Sequence, residues 1–255
     1  MQAKGALMEV DENTAEAQST ELRSIFTEHS QFEDGMKVAS SHKPPSHAYL
    51  LTDGFLFQVL KLRGKRSIVG VFVPGDLIGF SAIGSDCVGF DLVSAGGSVV
   101  ARVGIQRLRS FVMTKPEFAM KVLSCEGAIQ RQWVANCQTL TAAQHMAHIF
   151  AELRHRLGFN LGKAPQMVRT PFRQTDLGDM CGVSAIHANR AVATLREAGI
   201  AEIRGGDLYT RDWGALEAYA KFESAYLREP QPLGMSRLSA LRAFAARPLS
   251  AHHAQ

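Results

Sequence analysis

Two glycines four residues apart, Gly178 and Gly182, stand between two short runs of helical period. That spacing allows only a narrow set of structures. Thr175 can cap a first short helix, whose inward residues are Leu177 and Cys181. Gly178 is small where a second helix has to cross closely. Gly182 takes positive φ at almost no steric cost, so it makes the turn, and Val183 plugs the corner. Ser184 caps the next helix. On that helix Ala188, Ala191, Val192 and Leu195 fall at steps of three, one and three, which gives one buried face. Ala185, Ile186, His187, Asn189 and Arg190 are left on the other. The segment therefore reads as two crossed helices with a turn, a helix-turn-helix.

The outward face carries the chemistry of base recognition. Arg190 can donate twice to guanine O6 and N7, and Asn189 can pair with adenine N6 and N7. Ile186 and Ala185 offer methyl groups to thymine. Thr175, Ser184 and nearby backbone N–H groups are placed for phosphates. The chain continues with Ile200–Ile203, then Arg204-Gly205-Gly206-Asp207, then Leu208–Thr210, which reads as a β-hairpin with a Gly-Gly turn. A hairpin after the second helix makes a winged helix, and Arg204 and Arg211 can add backbone contacts. Residues 142–214 hold nine Lys/Arg against seven Asp/Glu, so binding depends on where the positive groups lie.

Upstream the pattern changes twice. From about Leu22 to Arg109 short apolar runs are punctuated by glycines, as in a β-barrel or roll. A strand at Tyr49–Leu51, a turn at Thr52-Asp53-Gly54, a strand at Phe55–Leu62 and a third at Ser67–Val73 are expected. From Pro116 to Leu157 glycine almost vanishes and the period becomes helical. Val122, Ile129 and Asn136 are seven apart, as are Glu126, Trp133 and Leu140. The two sets interleave like a helix–helix seam, flawed at Glu126 and Asn136. A second helix, Ala142–Leu157, carries Met146, Ile149, Phe150, Leu153 and Leu157 on one face.

These elements divide the 255 residues into a disordered leader (1–20), a sensor roll (21–115), a dimerisation helix (116–141), a winged helix (142–214) and a C-terminal extension (215–255) with a short helix near Leu238–Ala246. The fold class is α+β. The polar, acidic first twenty residues lack an apolar signal core, and no run approaches the roughly 20 apolar residues that span a bilayer. The expectation is a cytoplasmic protein with no membrane partner. The net charge of +4 permits an anionic partner without requiring one. Cys87, Cys125, Cys137 and Cys181 show no CxxC spacing and read as reduced, mostly buried thiols.

Three stretches resemble the Crp/Fnr family of bacterial transcription regulators: "RQTDLGDMCGVSAIHANRAVATLREAGI" with the wing "RGGDLYTRDWGAL", "AYLLTDGFLFQVLKLRGKRSIVGVFVPGDLIG", and the long helix between them. The resemblance covers about Leu22 to Leu227. It implies a cyclic-nucleotide-binding-like β-roll that senses a signal, a homodimer made by the long helix, and paired winged helices on a two-fold site in double-stranded DNA. RNA polymerase is a further partner left open. Within the resemblance Arg190 falls on the base-reading arginine, and "SAIHANR" is similar to the "VHVNR" form of one subgroup. Ala185 departs from members with Arg-Glu after the serine, so the half-site cannot be copied from those members.

Members that bind cyclic AMP hold its ribose with a Gly-Glu-Leu turn and its phosphate with a later arginine. Here Phe80-Ser81 follows Gly79, and the next cation is Arg102. A buried phosphate without a cation is costly, so cyclic AMP is not expected. Members with an iron–sulfur cluster use several cysteines near the N-terminus, and here the first cysteine is Cys87. A redox role for Cys87 has weak support. No cofactor is assigned and the effector is unidentified. His145, His148, Glu152 and His155 project within about 80° of one another at about 100° per residue. His145, His148 and Glu152 are weak metal candidates; a solvated or interdomain polar face is the preferred reading. No catalytic motif is present, so no enzyme is expected. The alternative function is a ligand-binding signalling or scaffold module whose winged helix grips protein.

Overall fold

A computed structural model of the chain describes residues 21–22, 24–85, 89–161 and 164–227. The leader, Cys87 and the helix expected near Leu238–Ala246 lie outside the described residues. The N-terminal part is an antiparallel sheet of six strands: β1 (Glu28–Phe32), β2 (Lys37–Ala39), β3 (His47–Leu62), β4 (Lys65–Phe72), β5 (Leu77–Ile78) and β6 (Asp91–Gly104). Its order is β1-β6-β3-β4, with β2 on β6 and β5 on β3. The long β3 and β6 pair along nearly their whole length. The α+β class with an N-terminal roll is as expected.

Two local expectations are corrected. No turn separates Leu51 from Phe55; β3 runs through it. Gly54 supplies a left-handed kink at φ +78°, and a Cβ there would stand 2.2 Å from the Gly97 carbonyl oxygen of β6. The glycine thus marks a close strand approach with shifted register. The residues before Lys115 also hold an unforeseen helix, α1 (Ile105–Thr114), which buries Ile105, Leu108 and Phe111.

Pro116 opens α2 (Pro116–Thr139), and α3 (Ala142–Leu161) follows after a two-residue break. The head is built from α3, α4 (Gln174–Cys181), α5 (Ala185–Glu197), the hairpin β7 (Glu202–Arg204) and β8 (Asp207–Tyr209), and α6 (Trp213–Tyr219). Roll and head share one apolar core: Phe57, Val59, Ile68 and Val71 of the roll are continuous with Met146, Phe150, Phe172, Leu177 and Leu195. Phe172 is the joint, its ring centroid 5.4 Å from Phe55, 5.2 Å from Phe57 and 6.5 Å from Phe150. Ion pairs cross the same boundary: Arg66 to Asp176 and Asp179, Arg156 to Asp76, and Arg173 to Asp34.

The expected seam on α2 is out of phase. Trp133 and Asn136 are buried within the chain. Trp133 faces Glu152 and His145 of α3, so it is not available to a partner helix. The large apolar residues that α2 leaves exposed are Met120, Leu123 and Val134. The cysteines also differ from expectation: Cys137 is exposed, and Cys125 and Cys181 are only partly buried.

Candidate nucleic-acid interface

The first helix of the head, α4, starts where Pro171 and Phe172 dock on the roll. Its N-cap is Arg173, whose backbone N–H donates to the Asp176 carboxylate at 2.9 Å. Thr175 is therefore not the cap. It sits exposed in the first turn, because an acidic residue three places after the cap already holds that backbone donor. The helix ends at Gly182, φ +67°. The N–H groups of Gly182 and Val183 both reach the Gly178 carbonyl. A Cβ at Gly178 would lie 3.1 Å from the Val183 oxygen and 3.5 Å from the Ala188 Cβ. The two glycines hold the two roles that their spacing suggested, a tight crossing and a left-handed turn.

Ser184 caps α5: its Oγ accepts from the His187 backbone N–H at 3.4 Å. The same Oγ is 2.8 Å from His187 Nδ1, so the imidazole folds back on its cap. Ala188, Ala191 and Leu195 are buried against the head. Ala185, Ile186, His187, Asn189 and Arg190 are all exposed, Ile186 to 65%. The first turn of α5 carries no acidic residue.

The wing turns at Gly205 (φ 59°) and Gly206 (φ 95°), the two successive positive angles that a two-residue hairpin needs. It is tied to the segment before α4: Thr170 Oγ1 donates to the Gly206 carbonyl at 2.6 Å, and the Thr170 N–H to Asp207 at 3.0 Å. Arg204 projects from the wing and pairs with Glu202 at 2.6 Å. Tyr209, also exposed on the wing, was not singled out in the sequence; its alternation with buried Leu208 was the available signal.

The metal candidates are corrected. His145, His148 and Glu152 are buried; His145 stands edge-on to Trp133 with no hydrogen-bond partner for its Nε2 among the described residues, and the other two face partners within the chain. Glu152 accepts from Trp133 Nε1, Tyr226 OH and Arg156. His148 lies 3.1 Å from Tyr226 OH and 3.3 Å from the Ala220 carbonyl. His155 is 3.0 Å from Glu217. Among the described residues no three His, Cys, Asp or Glu side chains converge as a metal site. Their stripe is an internal seam between α2, α3 and the residues after α6. In the roll, Phe80 is fully buried and packs on Phe118, with ring centroids 6.0 Å apart. No helix among the described residues is long and apolar enough to cross a membrane.

Residues 144–219 match the family model described as the Crp-like helix-turn-helix domain. No curated protein matches the chain. Among solved structures the chain is similar to FixK2 from Bradyrhizobium japonicum, at 19% identity and TM-score 0.66, covering 75% of this chain and 96% of that one. It is similar to the c-di-GMP-responsive global regulator CLP of Xanthomonas campestris at 15% identity and TM-score 0.57, covering 77% and 99%. A CRP-family transcriptional regulator from Thermus thermophilus aligns at 18% identity and TM-score 0.56, covering 77% and 100%. Residues 144–219 form a Crp-like helix-turn-helix domain, and the described residues have the fold of the Crp/Fnr regulators.

Proposed function

We propose that this chain is a sequence-specific DNA-binding transcription regulator of the Crp/Fnr type, acting as a homodimer. The observation that carries the reading is the outward face of α5. Five residues of its first two turns, Ala185, Ile186, His187, Asn189 and Arg190, are exposed on a helix whose opposite face is locked into the core. Arg190 and Asn189 read base edges, and Ile186 meets a thymine methyl. Ser184 Oγ and His187 Nδ1 are hydrogen-bonded at 2.8 Å, which holds the exposed imidazole at the start of the recognition helix. Thr175, in the first turn of α4, and Arg204 of the wing meet the backbone.

Dimerisation through α2 sets two recognition helices about 34–36 Å apart, one turn of DNA. The shared core between roll and head couples a signal in the roll to that spacing. Cyclic AMP is a poor fit for the roll, since fully buried Phe80 stands where the family's binders carry a glutamate. A four-cysteine N-terminal cluster is likewise disfavoured by the absence of cysteine before Cys87. The proposed compartment is the cytoplasm.

The test is selection of sites from random duplex DNA at two salt concentrations, with wild type and Arg190→Ala. The expected result is a two-fold motif with half-sites one turn apart, and a preference relaxed at one base pair per half-site in the variant. Failure of the wild type to enrich any motif at either salt overturns the reading.

A further inference from the structure

The β3–β4 hairpin ends in the run Lys61-Leu62-Arg63-Gly64-Lys65-Arg66. Arg63 (φ 51°) and Gly64 (φ 78°) are both left-handed, which makes a tight two-residue turn. The register is thereby fixed: Leu62 pairs with Lys65, and Lys61 with Arg66. Directly paired residues share a face, so Lys61 and Arg66 stand side by side, where like charges repel. Arg66 is drawn onto the head. Its Nη1 lies 2.8 Å from Asp176 and 2.6 Å from Asp179, in the first and second turns of α4.

That anchor holds β4 against α4, whose N-cap Arg173 and first residues Gln174 and Thr175 are exposed. Lys61, Arg63 and Lys65 are themselves exposed. None of the three forms an ion pair among the described residues. Both carboxylates at this contact, Asp176 and Asp179, are taken by Arg66, so the positive charge of Lys61, Arg63 and Lys65 is left in solvent. In a helix-turn-helix the first helix crosses the DNA backbone, and its N-terminal turn meets phosphate.

We propose that the tip of the β3–β4 hairpin is a second DNA-backbone contact, made by Lys61, Arg63 and Lys65 of the sensing domain next to the phosphates met by α4. This rests on the DNA-binding reading above and extends it to a domain outside the helix-turn-helix. The contact carries no base information. It adds affinity for any sequence, and any movement of the roll against the head changes it.

The test uses the full chain with Lys61→Gln/Arg63→Gln/Lys65→Gln, a selected site and a scrambled duplex of equal length, over a range of salt. Affinity for both duplexes falls together, by about tenfold or more at low salt, and the slope of log affinity against log salt becomes shallower by up to about 2.7 per protomer, at about 0.9 per phosphate contact. Base preference is unchanged. Arg190→Ala, measured beside it, loses preference and keeps most of its slope. Lys61→Arg/Lys65→Arg keeps both. If the triple variant melts early, Lys61→Gln alone carries the test, since Lys61 shares the face of Arg66, with a slope change of about 0.9. A triple variant with the wild-type slope, on a wild type that binds selectively, overturns the hairpin contact and leaves the DNA reading standing. A wild type that binds neither duplex at any salt overturns both.

Discussion

The indole Nε1 of Trp133 stands 3.2 Å from both carboxylate oxygens of Glu152, joining α2 to α3 in the middle of the molecule. Glu152 also accepts from Tyr226 at 2.8 Å and from Arg156 at 2.9 Å. Arg156 continues into the roll, donating to the Val71 carbonyl at 2.8 Å and pairing with Asp76. One chain of hydrogen bonds thus links the long helix, the head and the roll. Its members are largely out of water, where a polar network is stable only when every member is satisfied.

Removing Arg156 leaves Glu152 and Asp76 as uncompensated charges. Arg156→Met should therefore cost about 3–5 kcal/mol. Arg173→Ala breaks a pair that also joins head to roll, but this arginine is 72% exposed at its side chain and should cost about 1 kcal/mol or less. The midpoints of urea denaturation for the two variants check this. Equal losses would show that burial of the Arg156 pair does not govern its contribution.

The interior also titrates, in two opposing senses. Burial, helped by neighbouring His148, pushes His145 down to about 4 from 6.5. The unfolded chain binds that proton first, so stability falls as pH drops from 6.5 to about 4. Burial, helped by the Asp76 charge, pushes Glu126 up to about 7 from 4.5. Here the folded chain holds the proton longer, so stability falls as pH rises from 4.5 to about 7 and the penalty stays above that. Glu126→Gln should raise the melting temperature at pH 8 and change it little at pH 4. His145→Phe should flatten the loss between pH 6.5 and 4. Melting curves for Glu126→Gln that run parallel to wild type across this range would rule out the Glu126 assignment.

Three glycines separate conformational cost from steric cost. Gly182 (φ +67°) has nothing within 4 Å of a built Cβ. Gly182→Ala should lose only the left-handed backbone preference, about 1–2 kcal/mol. At Gly96 (φ +69°) a Cβ would stand 2.2 Å from Pro171 Cβ, at the contact of β6 with the segment that leads into α4. At Gly206 (φ +95°) it would stand 2.5 Å from the Thr170 oxygen under the wing. Gly96→Ala and Gly206→Ala should each cost more than Gly182→Ala, and Gly96→Ala should expose the joint around Phe172 to protease. Thermal melts and limited proteolysis order the three.

The two crossed helices and the exposed face of α5 were legible because a helix-turn-helix is specified locally. Gly178, Gly182, Ser184 and the step of Ala188 to Leu195 fix it within about twenty residues. The wing was legible for the same reason, through Gly205 and Gly206. Features set by distant partners were not. Asp176 displaced Thr175 from the cap by reaching the Arg173 N–H, and the same residue also serves Arg66, 110 positions away. Gly54 reads as a turn until Gly97 is placed against it. His145, His148 and Glu152 read as one polar stripe until Trp133, Tyr226 and Arg156 supply their surroundings. The helix at Ile105–Thr114 had its signal in Ile105, Leu108 and Phe111, lost among the strands before it.

The phase of α2 gives the last prediction. Met120, Leu123 and Val134 fall within about 60° of one another at about 100° per residue, with Gly127 inside the same arc. They are exposed, whereas Trp133 and Asn136 are buried within the chain. A second copy seated on this stripe buries the apolar residues that one chain leaves in water, and Gly127 permits close approach of the two backbones. Val134→Glu should therefore halve the mass in solution at micromolar concentration while the melting profile of the isolated chain stays cooperative. Trp133→Ala should behave differently, costing about 3–5 kcal/mol of chain stability through the emptied core site. Sedimentation equilibrium on both variants separates the faces: a dimer that survives Val134→Glu and Met120→Glu together would place the interface elsewhere on the molecule.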